Sequence, residues 1–132
     1  MRIHISLFAV ALILAAAPAW AQDPRGTILG RVADASGGVM PGVEIRVTNP
    51  ETGTSVAGTT NAAGNYNIPF LPATIYTVTA EMSGFKKYVR EGIQVRVSET
   101  VELNIQMEVG GINETLSVTA ETPLLDTSGS SL

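Results

Sequence analysis

The chain has 132 residues, with eight Lys and Arg against twelve Asp and Glu, a net charge of −4, no cysteine and one histidine. That length holds one domain with flanking segments, and without cysteine its core must stabilise it unaided by disulfides. The acidic balance repels phosphate backbones and anionic membrane surfaces, so no nucleic acid partner is expected.

In chain order, Arg2 and His4 precede an apolar run from Leu7 to Ala17, and Ala19 and Ala21 form an A-x-A pair. This order reads as a secretory signal peptide over residues 1–21, cleaved after Ala21. The run is shorter than the roughly twenty residues a spanning helix needs. Cleavage leaves 111 residues with seven cations against twelve acids, a net charge of −5, and removes His4 and Trp20. Lys86, Lys87 and Arg90 form a small basic cluster, read as a solvated strand edge.

Beyond the leader the apolar pattern has period two. Ile28, Gly30 and Val32 share one face of a first strand, and Val43, Ile45 and Val47 one face of a second. Residues 55–60 follow, then Tyr66, Ile68 and Phe70, then Tyr76, Val78, Ala80 and Met82. Ile93, Val95 and Val97 alternate next, then Val101, Leu103, Ile105 and Met107, and finally Leu116, Val118 and Ala120. Turn residues separate the runs: Gly37-Gly38 with Pro41-Gly42, Asn49-Pro50 with Thr52-Gly53, and Asn61 to Gly64. Short strands with such punctuation predict an all-β, antiparallel, Greek-key-like sandwich of about seven strands, with almost no helix. Pro69 cannot donate a ladder hydrogen bond and places its run at a sheet edge or strand end.

Reaction chemistry is constrained by what is missing. The chain after residue 21 has no His and no Cys, which removes the usual zinc sites, histidine-assisted nucleophiles and thiol chemistry. The nine glutamates fall mostly on outward positions or turns, so a glycosidase pair is not expected. Asp34, followed by Ser36-Gly37-Gly38, lacks the acidic series of a calcium loop and reads as a turn-stabilising aspartate. Asn113-Glu114-Thr115 is an N-x-T sequon. The expectation is a non-enzyme without cofactor or metal. The tyrosines of residues 66 and 76 alternate with core aliphatics and should point inward; Tyr88 is the aromatic expected to remain exposed, and the one ring offered to a carbohydrate ligand.

The ordered set of signals resembles the carboxypeptidase regulatory-like domain. It comprises Gly30-Arg31-Val32-Ala33-Asp34, Gly37-Gly38, Pro41-Gly42-Val43, Asn49 with Thr52-Gly53, residues 60–66, Leu71-Pro72, Tyr76-Thr77-Val78 and Gly84-Phe85. The resemblance covers residues 26–108 and implies a non-catalytic sandwich of the transthyretin-like type, within a broader carbohydrate-binding-like fold grouping. Family members usually carry glycine two residues before the tyrosine of Leu71-Pro72-x-x-x-Tyr76; here Thr74 stands there. If that corner needs a positive φ, a β-branched residue would strain it or shift the turn.

Residues 109–132 read as an extended tail. Within it Glu114, Thr115, Leu116, Ser117, Val118, Thr119 and Ala120 look like the TonB box of TonB-dependent outer-membrane receptors. In that family the box pairs as a strand with the C-terminal domain of TonB, a case of β-augmentation. The same residues also fit one more strand of the sandwich. The polar stretch from Thr127 to Leu132 resembles a linker, and the resemblance implies the N-terminal periplasmic part of a longer receptor, an interaction or signalling module meeting the outer membrane only through a barrel outside this sequence. The other reading is a free-standing exported module that binds carbohydrate or protein.

Overall fold

The computed structural model describes residues 24–111 and 113–118. The expected signal peptide lies outside them, as do Thr119 and Ala120 of the candidate box. Most of the alternating runs become strands: β1 (Gly26–Asp34), β2 (Glu44–Thr48), β3 (Ser55–Thr59), β4 (Asn65–Leu71), β5 (Thr74–Glu81) and β6 (Lys87–Val95). Three short strands complete the set: β7 (Thr100–Glu102), β8 (Ile105–Met107) and β9 (Thr115–Val118). No helix occurs among the described residues.

Two sheets face each other. The smaller has β1 at its centre, with β4 antiparallel on one side and β7 then β8 parallel on the other. The larger runs β3-β2-β5-β6-β9, antiparallel except for β6 against β9. The parallel pairs depart from the expected all-antiparallel arrangement because the chain changes sheets after β6. It re-enters the smaller sheet at the end where β1 begins, Thr27 opposite Thr100, and so runs alongside β1 in the same direction.

The inward faces supply one core. Ile28 and Val32 of β1 meet Val43 and the inward side chains of β2, β5 and β6, and Tyr66, Ile68, Leu71, Leu103, Ile105 and Met107 close it. Each such side chain contributes roughly 1.5–3 kcal/mol of burial. Thr60 is the polar residue inside this layer, and it is satisfied twice: its Oγ1 accepts the Val43 N–H at 2.9 Å and donates to the Met40 carbonyl at 2.6 Å. At the corners, asparagine and aspartate side chains take up turn amides. Asn49 Oδ1 accepts the Glu51 N–H, and Asn61 Oδ1 accepts those of Ala63 and Asn65. Gly64 has a φ of 76°, and a Cβ there would lie 2.8 Å from the Val32 carbonyl oxygen, so only glycine fits.

Several expectations are corrected. Phe70 does not share the inward face of Tyr66 and Ile68. Gly26 pairs with Leu71 and Ile28 with Ile68, so three steps on β4 answer two on β1. This bulge turns Phe70 out, 64% exposed with a left-handed φ of 62°, and Leu71 fills the core in its place. The Arg25 guanidinium sits 5.2 Å above the Phe70 ring. Pro69, beside the bulge, lies on β4 at an edge of the smaller sheet, where its missing N–H interrupts no inner ladder. Val97 leaves the alternation as well, in the turn that holds Ser98 at a φ of 55°. Thr74 is the first residue of β5, paired with Val95, and has no positive φ. The corner therefore places its left-handed residue at Phe70, and strain at Thr74 does not arise.

A candidate partner-binding strand

The segment resembling a TonB box lies along the edge of the larger sheet, and the residues before it explain why. After β8 the chain crosses from the smaller sheet and zips onto residues 84–87. The Lys86 N–H donates to the Glu108 carbonyl at 2.7 Å, Val109 bridges to Phe85, and the Gly110 N–H donates to the Gly84 carbonyl at 3.1 Å. Lys86 Nζ stands 3.3 Å from Glu108 Oε2 and 3.8 Å from Glu114 Oε2. Part of the basic cluster is thus an ion-pair clasp on the tail. Lys87 pairs with Glu81 at 2.9 Å, and its N–H donates to the Glu114 carbonyl at 3.0 Å, starting the β9 ladder.

Along that ladder Lys87, Tyr88, Val89 and Arg90 face Thr115, Leu116, Ser117 and Val118 in parallel register. Leu116, opposite Tyr88, is half-buried against the core, whereas Thr115, Ser117 and Val118 are exposed. β9 has no neighbour on its other side among the described residues. The clasp is partly exposed, and exposed ion pairs are worth about 0–1 kcal/mol. One half-buried side chain and four residue pairs therefore hold five of the seven box residues, Glu114 to Val118.

The three tyrosines are structural. The Tyr66 hydroxyl donates to the Leu103 carbonyl at 2.6 Å, and that of Tyr76 to the Pro72 carbonyl at 2.8 Å, four residues upstream. Burial pushes the Tyr66 phenol well above its ordinary range; repulsion from Tyr88 adds to the shift and Arg90 partly offsets it. Burial also raises Tyr76. Tyr88, expected to be exposed, is only 4% accessible. The alternation of residues 86–90 carries it: Tyr88 faces inward with Arg90, while Lys87 and Val89 face out. With its ring packed inside, it offers no platform to a sugar. Arg90 Nε is buried without a hydrogen-bond partner among the described residues.

Asp34 holds a turn, as expected. Its Oδ1 accepts the Ser36 hydroxyl at 2.5 Å and the Ser36 and Gly38 N–H groups at 2.9 Å each, and these bonds, the hydroxyl first, hold its carboxyl below the usual range. Among the described residues no three or more His, Cys, Asp or Glu side chains gather as a metal site would require. No helix among them is long and apolar enough to cross a membrane.

The junction of β7 and β8 was not legible in the sequence. Leu103 turns inward between the two strands, its N–H donating to the Leu29 carbonyl at 2.8 Å, and its own carbonyl lies against Gly30 where a Cβ would overlap it. This close approach is the physical reason for the glycine of Gly30-Arg31-Val32.

Comparison with known proteins agrees with this architecture. Solved structures with a similar fold include the TIE protein of Bacillus anthracis, at a TM-score of 0.55 and 23% identity over 65% of this chain and 17% of that one. A chain of the type II cohesin–X-dockerin complex of Acetivibrio cellulolyticus gives 0.53 and 17% over 64% of this chain and 58% of that one. These likenesses concern the fold alone. In sequence, the TonB-dependent transporter Oar of Myxococcus xanthus is 33% identical over 115 residues, 86% of this chain and 11% of the transporter, so the chain spans about a tenth of that relative. The transporter and the regulatory-like domain are not enzyme families. Residues 27–108 match the carboxypeptidase regulatory-like domain model, and the chain belongs to that family.

Proposed function

We propose that the chain is the N-terminal cell-envelope domain of a TonB-dependent outer-membrane transporter, an interaction module that offers residues 114–120 to TonB. The similarity to a transporter supports the setting. The observation that carries the reading is that the box-like segment is an edge strand, shallowly held on one side by β6. Such a strand already has the extended backbone that β-augmentation needs, and backbone ladders supply affinity while alternate side chains supply register. TonB draws the strand off β6, and the domain remains behind as a folded body.

The test is titration of TonB's C-terminal domain with a peptide spanning residues 113–121 and with the chain lacking residues 1–21. Both should bind, and Val118→Pro in the peptide should abolish binding by removing a ladder donor. Absence of binding to the wild-type peptide, or unchanged affinity of the proline variant, would sink the proposal.

A further inference from the structure

The outward face of the smaller sheet is an open groove of about 1050 Å³ that neither the core nor β9 uses. Its floor is β1, low at Ala33, and its walls are β4 on one side and β7 with β8 on the other. The register sets polar side chains along both walls. Asn67 and Glu102 flank Leu29, Asn65 stands opposite Arg31, and Gln106 stands opposite Ala33.

Two features make this face more than a solvated surface. At the break between β7 and β8, Asn104 is fixed in place: its Oδ1 accepts the Arg31 N–H at 3.0 Å and its Nδ2 donates to Glu102 Oε1 at 3.1 Å. Beside it, the Arg31 guanidinium makes no ion pair or hydrogen bond among the described residues, although Arg46, Lys86, Lys87 and Arg96 all pair with glutamates. An acidic protein thus leaves a five-donor fork unused at the centre of a groove lined with amides.

We propose that this groove binds a neutral, hydroxyl-rich oligosaccharide, with Arg31, Asn65 and Asn67 as the principal contacts. The walls offer donors from Arg31 and the amides and acceptors from the amides and Glu102, a set that matches hydroxyls, which both donate and accept. The carboxylates of Glu102 and Asp34 on the same surface disfavour an anionic ligand. A peptide strand would need a sheet edge or apolar side-chain pockets, and this is a sheet face with polar walls. The groove is open along its length and follows β1 from Leu29 to Asp34, roughly 17 Å, so an oligomer fits better than a monosaccharide. No exposed aromatic lines it, so recognition rests on hydrogen bonds and affinity is modest.

The experiment titrates 15N-labelled chain lacking residues 1–21 with maltohexaose, cellohexaose, xylohexaose and laminarihexaose, and separately with polygalacturonate. Ligand reaches about 10 mM, enough to detect Kd values near 1 mM. At least one neutral hexasaccharide should shift the amides of Arg31, Asn65, Asn67 and residues 102–106. Arg31→Gln and Asn67→Ala, exposed sites whose variants should leave the remaining spectrum unchanged, should each weaken binding about tenfold. The assignment is overturned if no neutral ligand shifts this patch, if polygalacturonate is preferred, or if both variants bind as tightly as the wild type.

Discussion

The β1–β7/β8 pairing and the β6–β9 pairing are both parallel, and they hold their strands very differently. At the first, Leu103, Ile105 and Met107 are buried, and the Tyr66 hydroxyl reaches across the sheet to the Leu103 carbonyl. At the second, Leu116 alone is half-buried, and the supporting ion pairs are partly exposed. Burial at about 1.5–3 kcal/mol per side chain makes the first junction part of the cooperative core. The second has a small fraction of that hold. The same backbone geometry thus builds a fixed joint where three side chains are buried and, on our proposal, an exchangeable strand where one is half-buried.

The largest blow to the fixed joint should come from Gly30→Val, which forces a side chain into the Leu103 carbonyl. A loss of about 3 kcal/mol or more is expected, read as a fall in the urea midpoint. A near-normal midpoint would mean that the joint is looser than described. Tyr66→Phe follows, at about 1–3 kcal/mol, because it strands a buried carbonyl without a donor. It also has a signature in pH. The folded chain holds the Tyr66 proton more tightly than the unfolded chain does, so this contribution is complete below pH ~10 and is lost as pH rises through the raised folded value. The phenylalanine variant should show a shallower alkaline decline than wild type, with Tyr76 still contributing.

On the exchangeable side Leu116→Ala should cost roughly 1 kcal/mol or less, below the range for fully buried leucines. Its effect should be local: faster hydrogen exchange at Lys87 and residues 115–118, with the amides of β1 and β5 unchanged. A global loss of protection would erase the contrast between the two pairings. The smallest effect belongs to Asp34, a half-buried residue whose carboxyl is hydrogen-bonded within its turn. Its contribution is present above the ordinary carboxylate pKa of about 4 and is lost as pH falls toward the lowered folded value. Asp34→Asn should flatten the acid limb of stability slightly and leave the alkaline limb unchanged.

The sheets were legible because period two survives in almost every run, and corners such as Asn61 to Gly64 carry their turn chemistry in the residue types. Legibility failed where one residue changes parity. The β4 bulge moves Phe70 out and Leu71 in, and no local composition marks that shift apart from Pro69 beside it. Tyr88 was misplaced for a related reason: between two lysines and an arginine it looks solvated, yet a strand sends alternate residues to opposite faces regardless of their neighbours. The groove on the smaller sheet depends on which strands are neighbours, and pairing order is not written in any one segment. Leu116 and Val118 did announce a strand, but not its parallel seat on β6.

The central claim, that TonB captures β9 by drawing it off β6, can be tested with one covalent lock. Val89 and Ser117 are direct partners in the register, and neighbouring strands lie about 4.8 Å apart, within reach of a disulfide. The chain has no native cysteine to interfere. A Val89→Cys/Ser117→Cys variant should bind TonB's C-terminal domain when reduced and lose about tenfold or more of that affinity when oxidised. Equal binding in both states, or none in either, would contradict the account.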